Sequence, residues 1–164
     1  DQQVDQLRAA ALLHEVARIG IPNEIMFKSD ALTEKELEAM AWNCESAVGI
    51  LGSVEEFEVA ASILRYQHEH FDGSGFSERL SGEESPLASR ILAVANAYDE
   101  MTEPRPLKPV FTHQEAIECL MSECGKKFDP TVVEAFSDLQ SEETVGIIPE
   151  INSAQPADLN RLNP

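Results

Sequence analysis

Apolar residues in this chain recur at helical spacing and nowhere at the alternating spacing of a strand, a pattern that points to a bundle of helices. Leu7, Ala10 and Ala11 with His14, then Leu37, Met40, Ala41 and Cys44, then Val59, Ile63 and Tyr66 are separated by steps of one turn. Three helices are predicted there. Thr33 followed by Glu36 has the form of a capping box, and Thr112 followed by Glu115 repeats it ahead of Ala116, Leu120 and Met121. Residues 71–85 hold Gly73, Gly75 and Gly82 among several serines and predict a loop. The short apolar run 145–148 is the one stretch suited to a small extended piece, so the expected fold class is all-α.

At 164 residues, 43% of them hydrophobic, the chain can bury one core. Beyond Asp138 the composition turns to Ser, Glu, Asn and Pro, which predicts an acidic and polar extension over 138–164, partly disordered. The net charge of −18 repels polyphosphate backbones and anionic membrane surfaces, which argues against nucleic acid and membrane as partners. No apolar run is long enough to span a bilayer and no basic-then-apolar leader opens the chain, so the expected location is cytoplasmic. Cys44, Cys119 and Cys124 are odd in number and lack paired short spacings, which fits reduced packing thiols. A start at Asp1 with a helix soon under way leads us to expect further chain upstream.

Polar residues interrupt the apolar helical pattern in four places. In Leu12-Leu13-His14-Glu15-Val16-Ala17-Arg18-Ile19-Gly20-Ile21-Pro22, an α-helical path would put His14 and Arg18 on one face, with Glu15 three before Arg18. In Gln67-His68-Glu69-His70-Phe71-Asp72-Gly73-Ser74-Gly75-Phe76, imidazoles flank a glycine-rich turn. In the run 90–101, Asn96 sits within an apolar helix, where its amide must find hydrogen-bond partners. Arg105 and Lys108, three apart in a very acidic chain, suggest an anion site, and Gly125-Lys126-Lys127-Phe128-Asp129-Pro130 follows. Each has an ordinary reading when taken singly: a helix-end ion pair, a solvated loop, a helix contact and a surface ion pair.

Together and in this order, the segments resemble the HD-GYP branch of the HD phosphohydrolases, bacterial cyclic di-GMP phosphodiesterases. The family's patterns are L-L-H-D-I-G-K-I-G-I-P, then H-H-E-x-x-D-G-x-G-Y-P, then R-I-L-A-V-A-D-x-Y-D-A-L-T, then R-P-Y-R or R-P-Y-K, then G-x-x-F-D-P. The resemblance covers about residues 7–136 and implies an HD-domain helical bundle over 1–137 whose N-terminal part lies outside this chain. It also implies a centre of two or three metals, usually iron or manganese, and often a receiver domain upstream.

The scaffold positions match and the metal positions depart. His14 and His68 match motif histidines, whereas Glu15 stands where the bridging Asp belongs and Arg18 where the catalytic Lys belongs. Asn43 and Gln67 stand at histidine ligands, Asn96 at an aspartate, and Phe76 and Ser77 at the Tyr and Pro of the family's name. Arg105 and Lys108 match positions that contact ligand phosphates. Amide oxygens bind transition metals weakly beside imidazole or carboxylate. The resemblance therefore leaves His14, Glu15 and His68 as a vestigial set, enough for one weakly held iron, manganese or zinc ion and for no tightly bound cofactor.

Two adjacent divalent cations need a bridging carboxylate or hydroxide to offset their repulsion and to activate water. Without it, the expectation is a non-catalytic bacterial signal-transduction module, its degenerate positions being Glu15, Arg18, Asn43, Gln67 and Asn96. Glu15 and Arg18 would pair and so replace metal charge, while Arg18, Arg105 and Lys108 would form a phosphate site for cyclic di-GMP. The expected partners are signalling proteins such as a GGDEF-type protein or an upstream receiver domain, and a homodimer is compatible with the pattern. The alternative is a weak metal-dependent phosphodiesterase working through the reduced site.

Overall fold

The computed structural model describes residues 1–26, 28, 33–76, 78–104 and 109–141, with the side chains of 17–19, 140 and 141 outside that description. Arg105, Lys108, the run 145–148 and most of the 138–164 extension therefore lie outside the described residues, as does the side chain of Arg18. Within them the secondary structure is helical, as the spacing predicts, with one isolated bridge between Cys124 and Phe128.

The helices are α1 (Gln2–Leu13), α2 (Asn23–Met26), α3 (Glu34–Gly52), α4 (Glu58–Arg65), α5 (Leu87–Thr102), α6 (His113–Ser122) and α7 (Pro130–Ser141), joined in part by 3-10 turns. Both capping boxes form: Thr33 opens α3 with Glu36, and Thr112 opens α6 with Glu115. In each, the glutamate accepts from the threonine amide at 2.7 Å, satisfying a helix-end donor that would otherwise be unpaired. The described residues of 71–85 form a loop holding one 3-10 turn, Gly82–Glu84. Helix α7 continues past 137/138, where the composition changes.

One local expectation differs. The chain from His14 to Gly20 is a 3-10 helix rather than a continuation of α1. A 3-10 path has three residues per turn, so the one-turn spacing of an α-helix does not apply along it. The tighter path brings Gly20 against α3, where an added Cβ would lie 2.4 Å from Asn43 Oδ1. Only glycine fits there without moving Asn43.

Two apolar clusters form the core, and α5 belongs to both. Ala10, Val48, Ala60, Ala61, Ile63, Leu64 and Leu92 join α1, α3, α4 and one side of α5. Val94, Leu120, Phe128, Val132 and Val133 join the other side of α5 to α6 and α7. Leu92 and Leu120 are almost wholly buried, and truncating a leucine so placed to alanine costs about 2–5 kcal/mol. Ser89, also buried, donates from Oγ to the Ile63 carbonyl at 2.8 Å, tying α5 to α4 without an unpaired hydroxyl. A third face of α5 is left for the polar residues.

Candidate functional site

That third face carries Ala93, Asn96, Ala97 and Glu100, spaced as neighbours on one side of a helix, and it opens on a cavity of about 310 Å³. Opposite it, α3 contributes Leu37, Met40 and Cys44, again one helical face. The chain following α4 supplies Gln67, His68, Glu69, His70 and Phe76, while His14 and Ile21 close one side and Lys127 and Phe128 another. Four of the positions singled out in the sequence, His14, Gln67, His68 and Asn96, thus meet in one cavity from three separate segments.

Two of the four contact each other. Asn96 donates from Nδ2 to Gln67 Oε1 at 3.4 Å, so amide meets amide where the family pattern has carboxylate and imidazole. His14 turns its Nδ1 to the Ala11 carbonyl at 2.5 Å and its Nε2 to Glu15 Oε1 at 3.1 Å. His68 stacks on Phe76 with ring centroids 5.1 Å apart.

Asn43 and Glu15 do not line the cavity. Asn43 donates back to the Ala39 carbonyl of its own helix at 2.8 Å. The Glu15 carboxylate, about half exposed, contacts His14 Nε2. The Glu15 to Arg18 pairing falls on a side chain outside the described residues.

The loop is organised around one buried carboxylate. Glu69 Oε1 accepts from the amides of Glu78 at 2.6 Å and Arg79 at 3.1 Å, which closes residues 69–79 into a ring. Glu69 Oε2 and Ser85 Oγ, both buried, find no hydrogen-bond partner among the described residues. Gly75 crosses so close that a Cβ there would stand 2.3 Å from the His70 amide nitrogen and 2.6 Å from the His68 carbonyl. Ser74 donates its amide to Asp72 Oδ1 at 2.8 Å, and hydrogen bonds from Ser74 hold the Asp72 carboxyl below its usual range. Burial, then the nearby Lys127 charge, lowers the His70 pKa.

Sequence reasoning missed Glu69, Cys44, Asp99, Glu100 and Lys127 as cavity residues. Asp99 and Glu100 were legible, being three and four positions beyond Asn96 on the same helix. Glu69 and Lys127 were not, because only the closure of the loop against the turn before α7 brings them in.

Among the described residues, no three His, Cys, Asp or Glu side chains converge to hold a metal ion. Asn96 and Gln67 are bonded to each other, and His14 is engaged by Glu15. No described helix is long and apolar enough to cross a membrane.

The sequence profile of the HD domain matches residues 1–132. A cyclic di-GMP phosphodiesterase of Vibrio cholerae is 35% identical over 81% of this chain and 28% of its own length. The cyclic di-GMP phosphodiesterase response regulator RpfG of Xanthomonas campestris is 36% identical over 83% of this chain and 36% of its own. A cyclic di-GMP phosphodiesterase of Thermotoga maritima is 36% identical over 86% and 39%. The chain thus spans well under half the length of these relatives. A solved cyclic GMP-AMP phosphodiesterase of Vibrio cholerae, V-cGAP3, superposes with a TM-score of 0.66 over 87% of this chain and 40% of that one. At 19% identity, that likeness speaks to the fold.

Proposed function

The chain belongs to the HD domain family, and from that premise we propose that it is a signalling module derived from a cyclic di-GMP phosphodiesterase that has given up hydrolysis. One observation carries the reading: Asn96 and Gln67, at two metal-ligand positions of the family pattern, satisfy each other inside the cavity. An amide pair presents no charge to a divalent cation, and its oxygens are weak ligands for a transition metal. With an amide in place of the family's aspartate at position 96, that position supplies no charge to offset the repulsion between two cations or to support an activated water.

Such a module acts through contacts with other signalling proteins. Binding of cyclic di-GMP without turnover would draw on Arg18, Arg105 and Lys108, the cations that match phosphate-contacting positions of the family. The test is hydrolysis of cyclic di-GMP by the purified chain with added manganese or iron(II). No turnover above background is expected. Turnover that disappears in His68→Ala would overturn the reading and establish a phosphodiesterase working from a reduced metal site.

A further inference from the structure

The face of α3 turned away from the cavity carries Glu38, Ala41, Trp42 and Glu45, at the spacing that places four side chains side by side on a helix. Trp42, the chain's single tryptophan, is 74% exposed. Glu78, from the loop that Glu69 closes, stands across from this face, and the five residues line an open groove of about 410 Å³. Beside the groove, Arg65 reaches Glu45 at 2.7 Å and Glu78 at 3.8 Å, bracing helix against loop.

We propose that this groove docks a basic segment of a partner protein, with an arginine laid over the Trp42 indole and paired with Glu38. Three features select that occupant. The indole offers a broad π face to a cation, and a guanidinium stacks there while still donating to a carboxylate. Glu38 lies one turn from Trp42 and makes no ion pair among the described residues, whereas Glu45 shares Arg65 with Glu78. The groove therefore keeps net negative charge after its internal pairing. Finally, a chain of net charge −18 repels a second copy of itself and an anionic membrane, which leaves a cationic partner as the complementary one.

This inference rests on the proposed function, since it names the chemistry of the partner through which the module acts. It also joins the two sites: Glu78 is held by Glu69, a wall residue of the cavity, so the groove and the cavity share one loop.

The test titrates the chain with a blocked hexa-arginine peptide, reading the emission of Trp42 and, for every variant, the anisotropy of a labelled copy of the peptide. Saturable binding with a shift in Trp42 emission is expected. Trp42→Ala should weaken it by about tenfold, with Trp42→Phe retaining part of the affinity. Glu38→Gln should weaken it, while Glu55→Gln, an equal loss of charge on the exposed turn before α4, leaves it unchanged. A hexalysine peptide should bind less tightly than hexa-arginine. No saturable binding, or equal weakening by Glu38→Gln and Glu55→Gln, overturns the proposal, as does self-association abolished by Trp42→Ala. Metal content of the same preparations separates the two readings: metal-poor protein that ignores the peptide defeats the docking site alone. Protein that hydrolyses cyclic di-GMP and still binds the peptide defeats the non-catalytic reading alone.

Discussion

Asn96 Nδ2 donates to Gln67 Oε1 across 3.4 Å, joining α5 to the turn after α4 through two neutral amides inside the cavity. The pair satisfies hydrogen-bonding groups that would otherwise cost free energy on burial, and it does so without an ion. On the proposed reading, stability of this part of the fold does not depend on a metal. Chelator treatment is expected to leave the melting temperature unchanged; a fall of several degrees on metal removal would show that an ion holds the site together.

Gly75→Ala is expected to destabilise the chain by about 3 kcal/mol, because the added Cβ meets the His70 nitrogen and His68 carbonyl of the backbone, which cannot swing aside. Gly49→Ala is the matched control. It lies within α3 with nothing near its missing Cβ, and should stabilise by about 0.5–1 kcal/mol. Denaturant unfolding of the two variants would show opposite signs.

Arg90 and Asp129 form a close ion pair between α5 and the start of α7, both side chains largely buried. Arg90 also donates to the Ser85 carbonyl, and Asp129 accepts the Thr131 amide. Asp129→Ala leaves a buried guanidinium without its counter-charge and should cost about 3 kcal/mol or more, read by urea denaturation. A loss below about 1 kcal/mol would place the pair among surface bridges of little consequence.

Acid should loosen the start of α3 in a defined window. A hydrogen bond from Lys28, then those from Thr33, lower the Glu36 carboxyl from its ordinary 4.5 to about 2. A carboxylate depressed in the folded state contributes stability that is fully present above its unfolded pKa and lost as pH falls through the folded one. The contribution thus fades from about pH 4.5 toward 2. Glu84 and Glu115, lowered by the caps at Ser81 and Thr112, act in the same direction. Glu36→Gln should flatten the dependence of melting temperature on pH across that range; an unaltered slope would mean that the cap does not persist in solution.

The helical class, both capping boxes and the loop over 71–85 were legible because they follow from residue spacing and local chemistry. The 3-10 path of 14–20 was not, since Gly20 is drawn against Asn43 by packing that spacing does not encode. For the site, the family pattern gave His14, Gln67, His68 and Asn96, and the cavity gathers all four. Asn43 and Glu15 are not among the residues lining the cavity: Asn43 bonds its own helix, and Glu15 contacts His14. Glu69 and Lys127 escaped notice because their place depends on how the loop closes rather than on any local signal.

Restoring the family's donors should restore its chemistry. Glu15→Asp, Arg18→Lys, Asn43→His, Gln67→His and Asn96→Asp together are expected to recover metal binding, measured by isothermal titration with manganese. No gain in affinity would mean that the scaffold has shifted as well as its side chains.

The central claim, that this cavity no longer holds a catalytic metal centre, is tested most directly by elemental analysis of the unmodified protein purified from metal-replete cells. The account predicts less than one equivalent of tightly bound iron, manganese or zinc per chain, because two of the family's ligand positions are the amides Gln67 and Asn96 and no three His, Cys, Asp or Glu among the described residues converge to hold an ion. Two or more equivalents per chain would contradict it.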